Sequence, residues 1–220
     1  MLDLSAAFDV IDHDILFTRL ETSFGITGNA LQWITSYLTN RSPCVSIGSS
    51  LSEPRSLGIG VPQGSVLGPK IYCLFSRPIG EICLSHGMKY HCYADDTQLY
   101  IVVEPLCNWG DISNKLTVCL SDIRDWMSSN LLKLNQDKTE LMVFAPKNKV
   151  GDLQQFALSF GDATIHDSEN IKNLGVFFDK TLTMDRQCSA ITSSCYFHIR
   201  NIGHIKPFIT EDACTTLVKS

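Results

Sequence analysis

The stretch from Met88 to Val103 reads MKYHCYADDTQLYIVV: two runs of alternating apolar and polar residues meeting at a pair of aspartates. Alternation with a period of two on either side of a short polar break is the pattern of a β-hairpin, and it predicts a tight turn at Asp95 and Asp96. Two like charges side by side at a turn require a reason. Aspartate tolerates turn geometry and hydrogen-bonds its own backbone, so the pair can be purely structural. The alternative is a cation site. That reading needs a third carboxylate from another element, because two divalent ions held ~3.5–4 Å apart take oxygen ligands converging from several directions. Asp3 is the natural candidate, since the apolar run MLDL at positions 1–4 suits a short buried strand ending in a functional side chain.

Working outward from the hairpin, the run DHDILFTRLETSFG places Ile15, Leu16, Leu20 and Phe24 at helical spacing, with Asp12 as cap and Gly25 as stop. A second helix is expected over NALQWITSYLTN. The segment SPCVSIGSSLSEPRSLGIGV alternates and carries turn residues, which predicts two short strands. Just before the hairpin, SVLGPKIYCLFSRPIGEICLSHG reads as a mostly buried helix, with Pro69 early and Pro78 a kink. After it, Ile112, Leu116, Leu120, Ile123 and Met127 share one helical face, and TELMVF reads as a strand. FALSF, ATIHD and IKNLGVFFD add β-structure; TMDRQCSAITSSCYFHIRNIGHI and ITEDACTTLVKS add helices. The order of elements predicts an α+β fold built on a split βαβ pattern, an antiparallel sheet with helices on one face.

Composition limits what such a fold does. The 220 residues are 44% hydrophobic and 19% charged, enough to bury one good core and a small second lobe. A net charge of −5 argues against gripping nucleic acid by bulk electrostatics, so any such contact must be local. Nine cysteines with no CxxC pair point to free thiols in a reducing compartment and to no zinc site. The first residues lack the basic region of a signal peptide, and no apolar run approaches the ~20 residues of a membrane span. The expectation is an intracellular protein, cytoplasmic or nuclear.

LDLSAAFDVIDHDIL, GVPQGSVLGP, YADD, LKLNQDKTELMVF and NLGVFFD follow one another in this order and at intervals that resemble the palm motifs of a reverse transcriptase. The wording of LDLSAAFD, GVPQGSVLGP and HCYADDTQLY resembles the non-long-terminal-repeat retrotransposons, the LINE type. The resemblance implies a palm with a primer-grip-like β-segment over residues 1–182 and a partial helical thumb over 183–220. It also implies truncation at both ends, with fingers and endonuclease outside the chain, which agrees with the acidic balance. The implied activity is RNA-directed DNA polymerase, transferring a nucleotide from a deoxynucleoside triphosphate to a primer 3′-hydroxyl on an RNA template. A catalytically inactive relic, a nucleic-acid-binding remnant and a two-metal nuclease are the alternatives; GVPQGS and NLGVFF have no role in the last.

Carried over residue by residue, the resemblance makes Asp3, Asp95 and Asp96 the ligands of two Mg²⁺ or Mn²⁺ ions, Asp3 and Asp95 the main ones and Asp96 the accessory acid. Lys138 matches the lysine proposed to protonate the leaving pyrophosphate. Phe8 falls where an aromatic lies beneath the sugar and crowds a 2′-hydroxyl, and Gln63 with Gly64 falls where the loop meets the nascent base pair or the template strand. Gly60 and Gly64 would let backbone approach closely. Asp9, Asp12 and His13 read as residues at a helix start. His91 reads as packed or exposed, and Trp33, Trp109 and Trp126 as core or edge anchors. The basic runs PKNK and HIRNIGHIK are small, and the second reads equally as a solvated helix face and as a contact to a primer–template backbone. In PKIYCLFSRPIG, Lys70, Arg77 and Pro78 interrupt the unbroken apolar helix that family members usually carry.

Overall fold

The computed structural model of the chain describes residues 1–5, 7–55, 57–104, 107–135, 138–149, 156–161 and 163–219. Ala6 of LDLSAAFD, Ser56 of the strand-pair segment, Gln136 and Asp137 of NQDKTE, and the terminal Ser220 lie outside the described residues. The chain divides into two compact units, one comprising Met1–Glu140 with Ala157–His166, the other Leu141–Phe156 with Asp167–Ser220. The elements are mixed helices and small antiparallel ladders, an α+β fold.

In the first unit, helix α1 (His13–Phe24) starts at Asp12, whose Oδ1 accepts from the backbone N–H groups of Asp14 and Ile15 at 2.9 and 3.0 Å. It ends at Gly25, where φ of +64° closes the last turn at a conformation only glycine adopts freely. Helix α2 (Gly28–Leu38) follows and exposes most of its surface, Trp33 included. Trp33 stacks with Tyr37 at 6.1 Å and is 57% exposed, so it is not a core residue.

The strand pair predicted over residues 42–61 is smaller than the alternation suggests. Two-residue strands β2 (Ser46–Ile47) and β3 (Ser50–Leu51) form an exposed hairpin, and the rest of the segment pairs through isolated bridges. Helix α3 (Gly68–Ser85) runs through Pro78. Its buried positions, Gly68, Ile71, Tyr72, Phe75, Ser76, Ile79, Gly80 and Cys83, recur at helical spacing, and Lys70 and Arg77 fall on the solvent face. The two charges that interrupt the apolar run therefore leave the packing intact.

Strands β4 (Lys89–Tyr93) and β5 (Asp96–Tyr100) form the predicted hairpin, shifted by one residue at its tip. Tyr93 pairs with Asp96, so the loop residues are Ala94 and Asp95, and Asp96 already belongs to the ladder. Ala94 carries φ of +54°, the left-handed first position of a primed hairpin turn, which matches the twist of the strands. Glycine usually holds that position, which is why the turn reads one residue late from sequence.

Helix α4 (Trp109–Ser129) buries Cys119, Leu120, Ile123 and Met127. The next strand is β6 (Lys133–Asn135), not TELMVF. Leu134 is buried and pairs with Leu4 of β1 (Asp3–Ser5). Residues 139–144 form no strand because their backbone groups are satisfied singly. The Glu140 N–H donates to the Met1 carbonyl at 3.0 Å, and Val143 N–H to the Asp167 carboxylate at 2.9 Å. Strands β7 (Ala157–Phe160) and β8 (Ala163–His166) complete this unit, burying Leu158, Phe160 and Ile165.

One guanidinium ties three helices of the unit together. Arg19 of α1 donates to the Phe75 carbonyl of α3 and to Oδ1 of Asn130, the residue that caps the end of α4. It lies over the rings of Phe75 and Trp126, 4.6 and 5.2 Å from their centres. Trp126 thus anchors a helix interface, as its reading as an edge anchor predicts.

In the second unit, β9 (Asn170–Asn173) and β10 (Val176–Asp179) pair across Leu174 and Gly175, both at positive φ. The Asp179 carboxylate caps the following turn, accepting from the N–H groups of Thr183, Met184 and Thr181 at 2.9, 2.7 and 3.1 Å, and these bonds hold its pKa well below the usual range. Lys180 bridges Asp167 and Glu169, each at 2.7 Å. Helices α5 (Asp185–Ile205) and α6 (Glu211–Lys219) form as predicted, and neither buries a residue.

Candidate active site

Ladder register brings the acids together. Leu2 and Thr97 form an antiparallel bridge, with Leu2 N–H to Thr97 O at 2.7 Å and Thr97 N–H to Leu2 O at 3.4 Å. The bridge joins the β4–β5 hairpin to the β1–β6 pair. Continued by one residue, this register sets Asp3 across from Asp96, and residues opposite one another in an antiparallel ladder share a face. Asp3 therefore opens its strand rather than ending it. Asp95, in the loop, is freed from the strand alternation that would turn it away from its neighbour.

The electrostatics record the crowding. The pKa of Asp96 is raised, first by partial burial, then by the carboxylates of Asp95 and Asp3. Like charges directly opposite destabilise a ladder, and a cation is the group that relieves them. The donors are all carboxylate oxygens, the set that hard divalent cations prefer. Among the described residues, no group of three or more His, Cys, Asp or Glu side chains is drawn in to ligand distance. The three acids offer such an ion suitable donor atoms in one neighbourhood, without being gathered at ligand distance. Lys138 reaches the same cluster, its Nζ 3.9 Å from Asp3 Oδ2 on a side chain 70% exposed.

Phe8 is half-buried, and its ring stacks on Tyr72 of α3 with centres 4.8 Å apart and planes at 29°. Tyr72 is 1% exposed, and its hydroxyl has no hydrogen-bond partner among the described residues. Burial and then the charge of Asp95 raise its pKa, which puts the Phe8–Tyr72 stack within electrostatic reach of the hairpin tip. The aromatic pair and the acids so occupy one neighbourhood.

Gln63 and Gly64 lie exposed in the loop before α3, Gly64 at φ of +76° with open space where a Cβ would stand. Gly60 makes the close approach: a Cβ there would meet the Asp9 carbonyl at 2.8 Å. Of the three residues assigned to a helix start, Asp12 is the cap and His13 opens α1, but Asp9 is neither. Its carboxylate accepts from Gln63 Nε2, at 3.2 Å to Oδ1 and 3.4 Å to Oδ2. His13 is buried and its Nε2 lies 2.8 Å from the Gly60 carbonyl, a tie that no local pattern encodes. His91 is exposed. An open groove of about 420 Å³ along α1, lined by Asp14, Ile15, Thr18, Arg19, Thr22 and Ser23, contains none of the predicted site residues. No helix among the described residues is long and apolar enough to cross a membrane.

The profile of the family described as reverse transcriptase (RNA-dependent DNA polymerase) matches residues 1–178, the hairpin and all the site residues included. The chain belongs to the reverse transcriptase family. Among curated proteins it is similar to three from Drosophila melanogaster. It is 29% identical to the probable RNA-directed DNA polymerase from transposon BS, over 91% of this chain and 22% of that protein. The RNA-directed DNA polymerase from mobile element jockey and the probable one from transposon X-element are each 26% identical, over 86% of this chain and 20% of theirs. The chain thus spans about a fifth of the length of these relatives.

Proposed function

We propose that this chain is the palm of a LINE-type RNA-directed DNA polymerase over residues 1–182, followed by part of a thumb over 183–220, acting on an RNA template, a DNA primer and a deoxynucleoside triphosphate. One observation carries the reading: in a chain of this family, the ladder sets Asp3 across from Asp96 and holds Asp95 in the adjoining loop. Asp3, Asp95 and Asp96 would hold two Mg²⁺ or Mn²⁺ ions. The chemistry that such ions supply when bound is activation of the primer 3′-hydroxyl and neutralisation of the departing pyrophosphate.

The remaining steps belong to the side chains. Lys138, loosely held against Asp3, carries a proton that can swing to the leaving pyrophosphate as a general acid. Phe8, stiffened by Tyr72 behind it, presents a ring against which a 2′-hydroxyl would clash. A compliant apolar pocket rejects an added hydroxyl by only ~10²-fold, so the rigidity of the stack is what sharpens selection. Gln63 and Gly64 line the approach to the base pair.

Primer extension on an RNA template tests the proposal. The chain alone should extend poorly, since positioning of the triphosphate supplies much of the rate in phosphoryl transfer and the resemblance assigns that task to a fingers segment. Fused to the fingers segment of a related element it should extend efficiently, and Asp95→Asn in the fusion should abolish extension. A fusion that folds and binds primer–template yet stays inert would identify a relic that keeps the fold without turnover.

A further inference from the structure

Asp9 has no part in the acidic cluster, yet the fold brings it to the same side of the loop as Gln63. Segment 8–13 is stapled to segment 59–63 by long-range bonds. Asp12 bridges Ile59; Gly60 N–H donates to Ile11 O at 2.7 Å, and Val61 N–H to Phe8 O at 2.8 Å. His13 holds the Gly60 carbonyl, and Gly60, at φ of +85°, leaves room for the Asp9 backbone where any side chain would collide. The two loops therefore behave as one rigid piece. Phe8, Asp9 and Gln63 are fixed relative to one another.

On that base the Asp9 carboxylate takes the Gln63 amide by its nitrogen, at 3.2 and 3.4 Å. A carboxylate only accepts hydrogen bonds, so it pairs with Nε2 and never with Oε1. Among the described residues Oε1 of Gln63 accepts no hydrogen bond. We infer that Asp9 is a positioning residue: it sets the orientation of the Gln63 amide so that the loop presents a hydrogen-bond acceptor, not a donor, to the incoming deoxynucleoside triphosphate. This rests on the proposed polymerase reading, in which Gln63 meets the substrate. Without Asp9 the amide rotates freely and presents donor and acceptor alike, and binding loses the preorganised half of the contact.

Two readouts test it on the 220-residue chain. The first is the side-chain amide signal of Gln63 in ¹⁵N–¹H spectra, assigned by its loss in Gln63→Ala. Asp9→Ala should shift that signal and speed its hydrogen exchange, with the backbone spectrum otherwise retained. The second is equilibrium affinity for a deoxynucleoside triphosphate in the presence of Mg²⁺ and an RNA template whose primer ends in a dideoxynucleotide. Gln63→Ala should weaken binding about 10-fold, Asp9→Ala by a smaller factor, and the double variant no more than Gln63→Ala alone, because Asp9 acts only through that contact. Asp9→Asn, able to pair with either end of the amide, should fall between wild type and Asp9→Ala. An unmoved amide signal in Asp9→Ala overturns the pairing, and penalties that multiply overturn the action of Asp9 through Gln63. If Gln63→Ala binds nucleotide like wild type while the amide signal still responds to Asp9, the pair exists and the polymerase reading of Gln63 is what fails.

Discussion

At the scale of single residues, the proposed site acids are what sequence shows most plainly, and the contacts of their neighbours are what it hides. Asp3, Asp95 and Asp96 were legible because the family motifs and the strand pattern coincide on them. Tyr72 and Asp9 were not: one reads as a helix-core residue, the other as part of a helix start, and only contacts across more than fifty positions give them partners. Asp96 offers a direct check on the crowding. Its pKa is higher folded than unfolded, so the folded state binds more protons between the two values, and stability falls as pH rises through that window. Asp96→Asn removes this slope. In thermal melts with a chelator from about pH 4 to 8, wild type should lose Tm relative to Asp96→Asn as pH rises, and Mg²⁺ should restore wild type more than the variant. A pH-independent gap between the two would show that the Asp96 carboxylate is held neither by burial nor by its acidic neighbours.

Elements with complete local signals formed as expected. Helix α1 has its cap at Asp12, its stop at Gly25 and its apolar spacing, and the boundaries agree with all three. The hairpin tip slipped by one residue because Ala94 occupies a left-handed position that alanine does not announce. Strand β6 was missed and TELMVF over-read because three residues are too few to show alternation, and because long-range partners decide which apolar run joins a ladder. Two glycines separate local from tertiary constraint at this scale. Gly60→Ala would force a Cβ onto the Asp9 backbone at 2.8 Å and strain a positive φ, and should cost roughly 2 kcal/mol or more. Gly80→Ala would meet the Tyr90 ring, whose nearest atom lies at 2.2 Å but which can swing toward solvent. Helix propensity returns ~0.5–1 kcal/mol there, so the net change should stay within about 1 kcal/mol. Urea denaturation of the two variants decides; equal losses would mean that the Gly60 approach is not a hard contact.

Across the whole molecule, the α+β class was readable from the order of elements, and the division into two units was not, because the second unit depends on ties such as Lys180 between Asp167 and Glu169. The Lys180 and Asp167 side chains are 14% and 8% exposed, so Lys180→Ala leaves a buried carboxylate with the Val143 N–H but without its cation, a loss of about 1–3 kcal/mol. Hydrogen exchange should quicken in β9 and β10 with α3 and α4 unchanged; uniform loss of protection would make the two units one cooperative body. The Leu2–Thr97 bridge has a different reach, into which insertions and deletions the gene can bear. Strand faces alternate with every residue, so one codon gained between Leu2 and Asp3, or between Asp96 and Thr97, turns a carboxylate to the opposite side of the ladder while leaving composition and helices untouched. A codon gained in the exposed Ser46–Leu51 hairpin moves nothing that the acids depend on. Length variation among functional copies of this chain should therefore be crowded into that hairpin and barred from the two residues flanking each side of the bridge.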